Sequence, residues 1–352
     1  MNRRNKIGAG VGRQLAVLAA LLAVSGTASA GLYNDGKVLA TGGVSMTDGA
    51  GGGGITPWAT ITGYETRDGI NADLHYTYVH LPNYDLNSGG IAIGFFDRVE
   101  LSYTNDSLPT GNTYDTVGLL TTTVNNLLTV GSTPANTLNT GIEPFNTTVR
   151  MNVFGAKIRL FGEAIYDSDN LIPQVAIGGF YKINNNKLLL KTLGADKSKD
   201  FEAYVSVTKI FFPLSTLINL TGRYTSANQT GLVGFGGPDG NHRSFRFEGS
   251  IAYLLNKGTA IGAEYQMHSD KLHNVNLNIL GLTANTGNAL LDPILNTVTG
   301  STLRQRESDW RDAFIAFFPS KNLSITMAYA MLGNIVLSPH QDGYYISLQA
   351  SF

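Results

Sequence analysis

Tyr344-Tyr345-Ile346-Ser347-Leu348-Gln349-Ala350-Ser351-Phe352 is the stretch that decides the fold. Tyr344, Ile346, Leu348, Ala350 and Phe352 fall on one side of a period-2 ribbon, and Tyr345, Ser347, Gln349 and Ser351 fall on the other. Alternation this strict describes a strand with one apolar and one polar face. Such a strand suits a barrel wall with lipid outside and water inside, because a bilayer forces every backbone group to find its partner within the wall.

The rest of the chain repeats the pattern. Alternating segments separated by turn residues lie at 38–45, 58–64, 71–81, 90–96, 99–104, 150–160, 172–183, 201–210, 217–225, 244–254, 259–267, 310–317, 323–331 and 344–352. In residues 244–254, Phe245, Phe247, Gly249, Ile251 and Tyr253 oppose Arg246, Glu248 and Ser250. From residue 99 onward the connections alternate between long and short, with short ones near 167–170, Pro213, 257–258 and 320–321. Outer-membrane barrels segregate loop length in this way, with short periplasmic turns and longer extracellular loops. The expectation is an all-β chain forming a single transmembrane antiparallel β-barrel of fourteen strands. Twelve is the alternative if 38–45 tucks inside and one further segment is miscounted. Trp58, Tyr76, Tyr78, Tyr103, Tyr224, Tyr253, Trp310, Phe317 and Phe352 are candidates for the aromatic girdles.

The amino-terminus supplies a compartment. Arg3, Arg4, Lys6 and Arg13 precede or border the apolar run 15–24, and Ala28-Ser29-Ala30 matches a small-residue cleavage pattern. This reads as a cleaved secretory signal peptide at 1–30, leaving 31–352 as the barrel. Removing it takes away four basic residues and no acidic ones, so the formal charge moves from −1 to −5. No basic stripe is present, which argues against nucleic acid as a partner. With no cysteine, no disulfide framework is available, and the backbone ladder must hold the chain. Charged residues make up only 14%, low for a soluble domain, yet no apolar stretch after the signal is long enough for a transmembrane helix. The expected location is the Gram-negative outer membrane.

Several segments carry a family resemblance. Leu39-Ala40-Thr41-Gly42-Gly43-Val44-Ser45, the glycine run that follows with Pro57-Trp58, and Phe96-Asp97-Arg98-Val99-Glu100-Leu101-Ser102-Tyr103 resemble an uncharacterised proteobacterial barrel family, domain of unknown function 3034. Val153-Phe154-Gly155-Ala156-Lys157-Ile158-Arg159-Leu160 and Pro173-Gln174-Val175-Ala176-Ile177-Gly178 extend the similarity. The resemblance implies an outer-membrane location and no assigned activity or catalytic residue. Tyr344, Ile346, Leu348, Ala350 and Phe352 also resemble the carboxy-terminal signal read by the outer-membrane assembly machinery.

Asp73, Glu100, Lys157, Arg159, Arg223, Arg246, Glu248 and Glu264 all lie opposite the apolar stripe of their strands. Interior placement is expected, since Arg or Lys facing lipid costs roughly 2–4 kcal/mol at the midplane. The mixture of signs favours an interior ion-pair network over a selectivity filter. The glycine run 49–54 and residues 234–240 miss the spacing of phosphate or dinucleotide cradles, and both read as flexible loops. His268, Asp270 and His273 lack the helical spacing of a metal site, and no Gly-x-Ser-x-Gly is present, so neither metal nor cofactor nor enzyme chemistry is expected. The long loops are unusually apolar, at Leu119-Leu120, Val124, Leu127-Leu128 and Val130, and at Leu280, Leu282, Leu290-Leu291, Ile294-Leu295 and Val298. Such loops should fold over the mouth as a lid or plug.

The leading functional expectation is a passive channel for small or amphipathic solutes. A closed structural or surface-interaction barrel is the alternative, and an outer-membrane hydrolase comes third. Expected partners are outer-membrane lipid and lipopolysaccharide, an unidentified small solute, and, during biogenesis, the barrel assembly machinery and periplasmic chaperones.

Overall fold

The computed structural model describes residues 43–63, 69–115, 141–162, 171–273, 306–320 and 322–352, with a few positions between 118 and 126. Twelve strands close into one antiparallel barrel in which each pairs with its sequence neighbours. They are β1 Ile70–His80, β2 Asp85–Phe95, β3 Val99–Pro109, β4 Thr148–Phe161, β5 Gln174–Asn184 and β6 Lys199–Phe211. The circuit continues with β7 Thr216–Thr225, β8 Ser244–Asn256, β9 Thr259–Gln266, β10 Trp310–Ser320, β11 Leu323–Met331 and β12 Asp342–Ser351. The last strand closes on the first, with Tyr344 opposite His80 and Ser351 opposite Asp73. Phe352 and Ala72 then exchange both backbone hydrogen bonds, at 2.8 and 3.0 Å. The barrel itself is left with no open edge, as a bilayer requires.

Alternation sets the wall. In β7, Ile218, Leu220 and Tyr224 are exposed while Asn219, Thr221 and Arg223 are buried. Leu220 is 65% exposed, Phe247 71% and Ile251 51%, values unsuited to water and suited to a lipid belt. At one end the strands join by tight turns. Phe96 and Asp97 take left-handed φ of 52° and 53°, and the Phe212–Leu214 turn ends in Ser215 at φ 48°. The opposite end carries the long connections, including a short helix, α1 Lys187–Thr192, that buries Leu189 and Leu190.

The count is the lower of the two expected, because residues 43–63 are not wall but filling. Segments 38–45 and 58–64 were expected as the first two wall strands. The described part of both, 43–45 and 58–63, lies buried inside the barrel. A period-2 pattern reports an extended backbone between two faces, and cannot separate a wall strand from an extended segment enclosed by a wall. Residues 234–240, expected as a flexible loop, are also corrected in part. Phe235 is 1% exposed, bridges Lys197 through two backbone hydrogen bonds, and seals the loop end from inside. Leu119 lies exposed in the first long loop, whereas Leu120, Val124, Leu127, Leu128, Val130 and the second apolar loop set fall outside the described residues.

Candidate functional site: the occupied lumen

Twelve strands enclose more room than wall side chains fill, whereas about eight would fill themselves. Residues 43–63 take up the remainder. Gly43 and Trp58 line a cavity of about 40 Å³ with Leu217, Leu254 and Phe318, close to the tight turns. Thr47 and Ile55 line another of about 50 Å³ with Leu81, Tyr84 and Trp310, close to the long loops. The segment therefore rises through the lumen and returns, with Val44–Ser45 paired to Gly51–Gly52, before it leads into β1.

Wall side chains grip the segment mainly by its backbone. Glu264 accepts from the amides of Gly54 at 2.6 Å and Ile55 at 2.9 Å, from Thr56 Oγ1 at 2.5 Å and from Ser250 Oγ at 2.9 Å. Glu100 accepts from Gly51 N at 3.1 Å and Thr62 N at 2.8 Å. Asp73 accepts from Thr62 Oγ1, from Gly63 N at 3.1 Å and from Gln349 Nε2 at 2.7 Å. Lys157 donates to the carbonyls of Gly51 and Thr60, both at 2.8 Å, and pairs with Glu100 at 3.0 Å. Pro57 O receives Ser206 Oγ at 3.1 Å, Asn219 Nδ2 at 3.3 Å and Thr221 Oγ1 at 2.8 Å.

The closeness of this grip explains the glycine run. A Cβ on Gly53 would strike the Glu264 carboxylate, and one on Gly54 the Tyr345 hydroxyl. Residues 49–54 are thus a seat for acidic and phenolic side chains, and not the flexible loop expected of them.

The remaining charges form a second group nearer the long loops. Arg223 donates to Glu248 through Nε at 2.5 Å and Nη2 at 3.1 Å, and its Nη1 meets Glu202 at 3.1 Å and Asp48 at 3.3 Å. Lys182 pairs with Glu202 at 2.5 Å and Asp48 at 2.8 Å. Arg246 donates to Ala227 O at 2.6 Å and Ser269 Oγ at 2.5 Å. Arg159 pairs with Asp97 beside the β2–β3 turn. All eight charged candidates are buried, spread over two interior groups and this one pair. Sequence reading missed Asp48, Lys182, Glu202 and Asp312, which are also buried. Lys182 between Tyr181 and Ile183 carried the same parity signal as the others, whereas nothing marked Asp48 in its glycine-rich surroundings.

Both tryptophans expected in the girdles are interior. Trp58 Nε1 donates to Ser250 Oγ at 2.9 Å, and Trp310 Nε1 to Gln229 Oε1 at 2.7 Å. An indole is as well suited to a polar lumen as to a lipid headgroup, since both offer an acceptor beside an apolar surface. Tyr103, Tyr224, Tyr253 and Phe317 are exposed on the outer wall, and Tyr76 and Tyr78 half-buried there. Along β12, Tyr344 and Ile346 face outward, while Leu348 and Ala350 pack with Leu74, Tyr76, Ile325 and Phe352.

At the loop end, Glu307 accepts from Gln229 N at 3.2 Å, and burial pushes its carboxyl up to about 8 against the opposing pull of Arg246. His268 hydrogen-bonds Gln266 at 3.1 Å and lies against Trp310, with ring centroids 4.8 Å apart and planes tilted by 38°. Among the described residues no three His, Asp or Glu side chains converge as a metal site.

A family of proteins of unknown function, DUF3034, matches residues 41–349. The chain belongs to that family. For this DUF3034 member, no curated protein is similar in sequence. Among solved structures, the KdgM porin is 10% identical with a TM-score of 0.42, over 80% of this chain and 99% of that one. An outer-membrane channel from Pseudomonas putida F1 is 8% identical with a TM-score of 0.39, over 84% and 96%. Outer membrane phospholipase A from Escherichia coli is 8% identical with a TM-score of 0.35, over 80% and 91%. At such scores the likeness decides nothing about the DUF3034 chain, whose barrel rests on its own strand register.

Proposed function

We propose that this DUF3034 protein is an outer-membrane channel for small solutes, held closed by its own residues 43–63. The observation that carries the reading is how the segment is bound. Besides apolar packing, its contacts with the wall are hydrogen bonds and ion pairs from side chains of β1 through β9, separate from the backbone ladder that closes the barrel. It can leave without opening the wall.

The test is ion conductance in a planar bilayer, comparing residues 31–352 with the same chain lacking 43–63. The intact protein should be closed or nearly so, and the deletion variant should carry steady current. Heat-modifiable migration on a gel verifies that each form is a folded barrel. A folded but silent deletion variant would overturn the channel and leave the closed structural barrel, which the dense interior pairing also supports. Cell fractionation and the mass of the mature protein test the outer-membrane location and cleavage after Ala30. The hydrolase reading has less to stand on. His80 and Asp85 pair at 2.7 Å, but no serine hydrogen-bonds to that histidine among the described residues.

A further inference from the structure

Residues 43–63 contain one ionisable side chain, Asp48. Its carboxylate is 2.8 Å from Lys182 Nζ and 3.3 Å from Arg223 Nη1, and both cations are buried, at 0% and 3% exposure. Beside them the rings of Phe180 and Tyr204 stack with centroids 5.3 Å apart, and both cations stand 5.4 Å from the Phe180 centroid. The wall contributes Lys182, Arg223 and Arg246 but only Glu202 and Glu248 to this group. Arg246 lines a cavity of about 10 Å³ with Glu202, Arg223 and Glu248, and has no carboxylate within ion-pair distance among the described residues. Asp106 on β3 is also buried and ion-pairs with none of them. Of the carboxylates that ion-pair with these cations among the described residues, Asp48 is the one the wall does not own.

From this we infer that Asp48 occupies a solute-binding site, and that the channel takes small organic monocarboxylates, whose carboxylate replaces that of Asp48 between Lys182 and Arg223. The inference rests on the channel reading and names its cargo. Withdrawal of residues 43–63 takes from Lys182 and Arg223 a carboxylate partner that both now share, and an under-paired buried cation draws in a counter-ion. The forked guanidinium suits a carboxylate, and the stacked rings favour one that carries an aromatic or aliphatic body. A solute bound here competes directly with the contact that ties the segment to this side of the wall. Binding and opening thereby become linked.

The experiment uses planar bilayers at low ionic strength, with benzoate and acetate set against benzamide and acetamide. In the deletion variant, benzoate should block current at concentrations roughly tenfold to a hundredfold below benzamide, the range of a hydrogen bond made to a charged group. In the full mature chain benzoate should raise the frequency of opening, and Asp48→Asn should raise it without benzoate. Lys182→Met in the deletion background should abolish the preference for the carboxylate. Should that variant fail to insert, Arg223→Lys, which keeps the charge and loses the fork, should weaken it. Equal block by benzoate and benzamide, or a preference that survives these substitutions, would overturn the assignment while leaving the channel intact. Silence of the folded deletion variant would remove both.

Discussion

Glu264 shows what a single residue does in this lumen. Its carboxylate receives two amides and two hydroxyls, and has no cation among its ion pairs in the described residues. Glutamine has the same shape but no charge: its carbonyl oxygen can still accept the two amides while its NH2 meets the Thr56 and Ser250 hydroxyls, so Glu264→Gln removes the charge assistance from the grip. The expected cost is about 1.5–3 kcal/mol for the charge-assisted bonds. Hydrogen exchange is the measurement. The amides of Gly54 and Ile55 should exchange roughly ten- to hundredfold faster, while wall amides such as that of Thr221 keep their protection. Unchanged exchange at Gly54 would mean that the segment is held elsewhere. Parity in β9 placed Glu264 inside from sequence alone. Its three partners on the segment lie 208 to 210 residues away, and no local pattern could name them.

Among the elements, the strands were legible and the fillings were not. β11 runs from Leu323 to Met331 as its alternation predicts, and β7 and β8 differ from expectation by one or two residues at an end. Loop 226–243 is different, because its inward fold depends on contacts with Lys197 and Glu307 from other connections and with Trp310 at the start of β10. That seal should respond to pH. The Glu307 carboxyl is raised from an ordinary value near 4.5 to about 8, so the folded seal binds its proton more tightly than the open form does. Its contribution is fully present below the ordinary value and is lost as pH rises toward about 8. Trp310, hydrogen-bonded to the same Gln229, reports the change as a fluorescence shift on raising the pH through that window. Glu307→Gln should flatten the response, and a shift that persists in that variant would place the titration elsewhere.

At the scale of the whole molecule, an outer wall of Leu, Ile and Phe surrounds an interior of paired charge. Leu220, mid-strand in β7 and 65% exposed, tests the first half. Leu220→Arg should cost about 2–4 kcal/mol in the urea dependence of refolding into phospholipid vesicles, the penalty for a cation near the bilayer midplane. A change close to zero would show that this face does not meet lipid. The sequence by itself determined the β class, the inward face of the strands with clear alternation, such as β7 and β8, and the segregation of loop length. These follow from a two-residue period and a solvent that rejects unpaired backbone and exposed charge, both written locally along the chain. Only the tertiary structure decided that residues 43–63 belong inside, that the lower strand count holds, and that Asp48 completes a set of charges built on β5, β6, β7 and β8. An extended, glycine-rich segment has the same local signature in a wall as in a lumen. What separates the two is whether twelve closed strands leave a space of its size, lined with donors and acceptors at its spacing, and that is a property of the closed barrel alone.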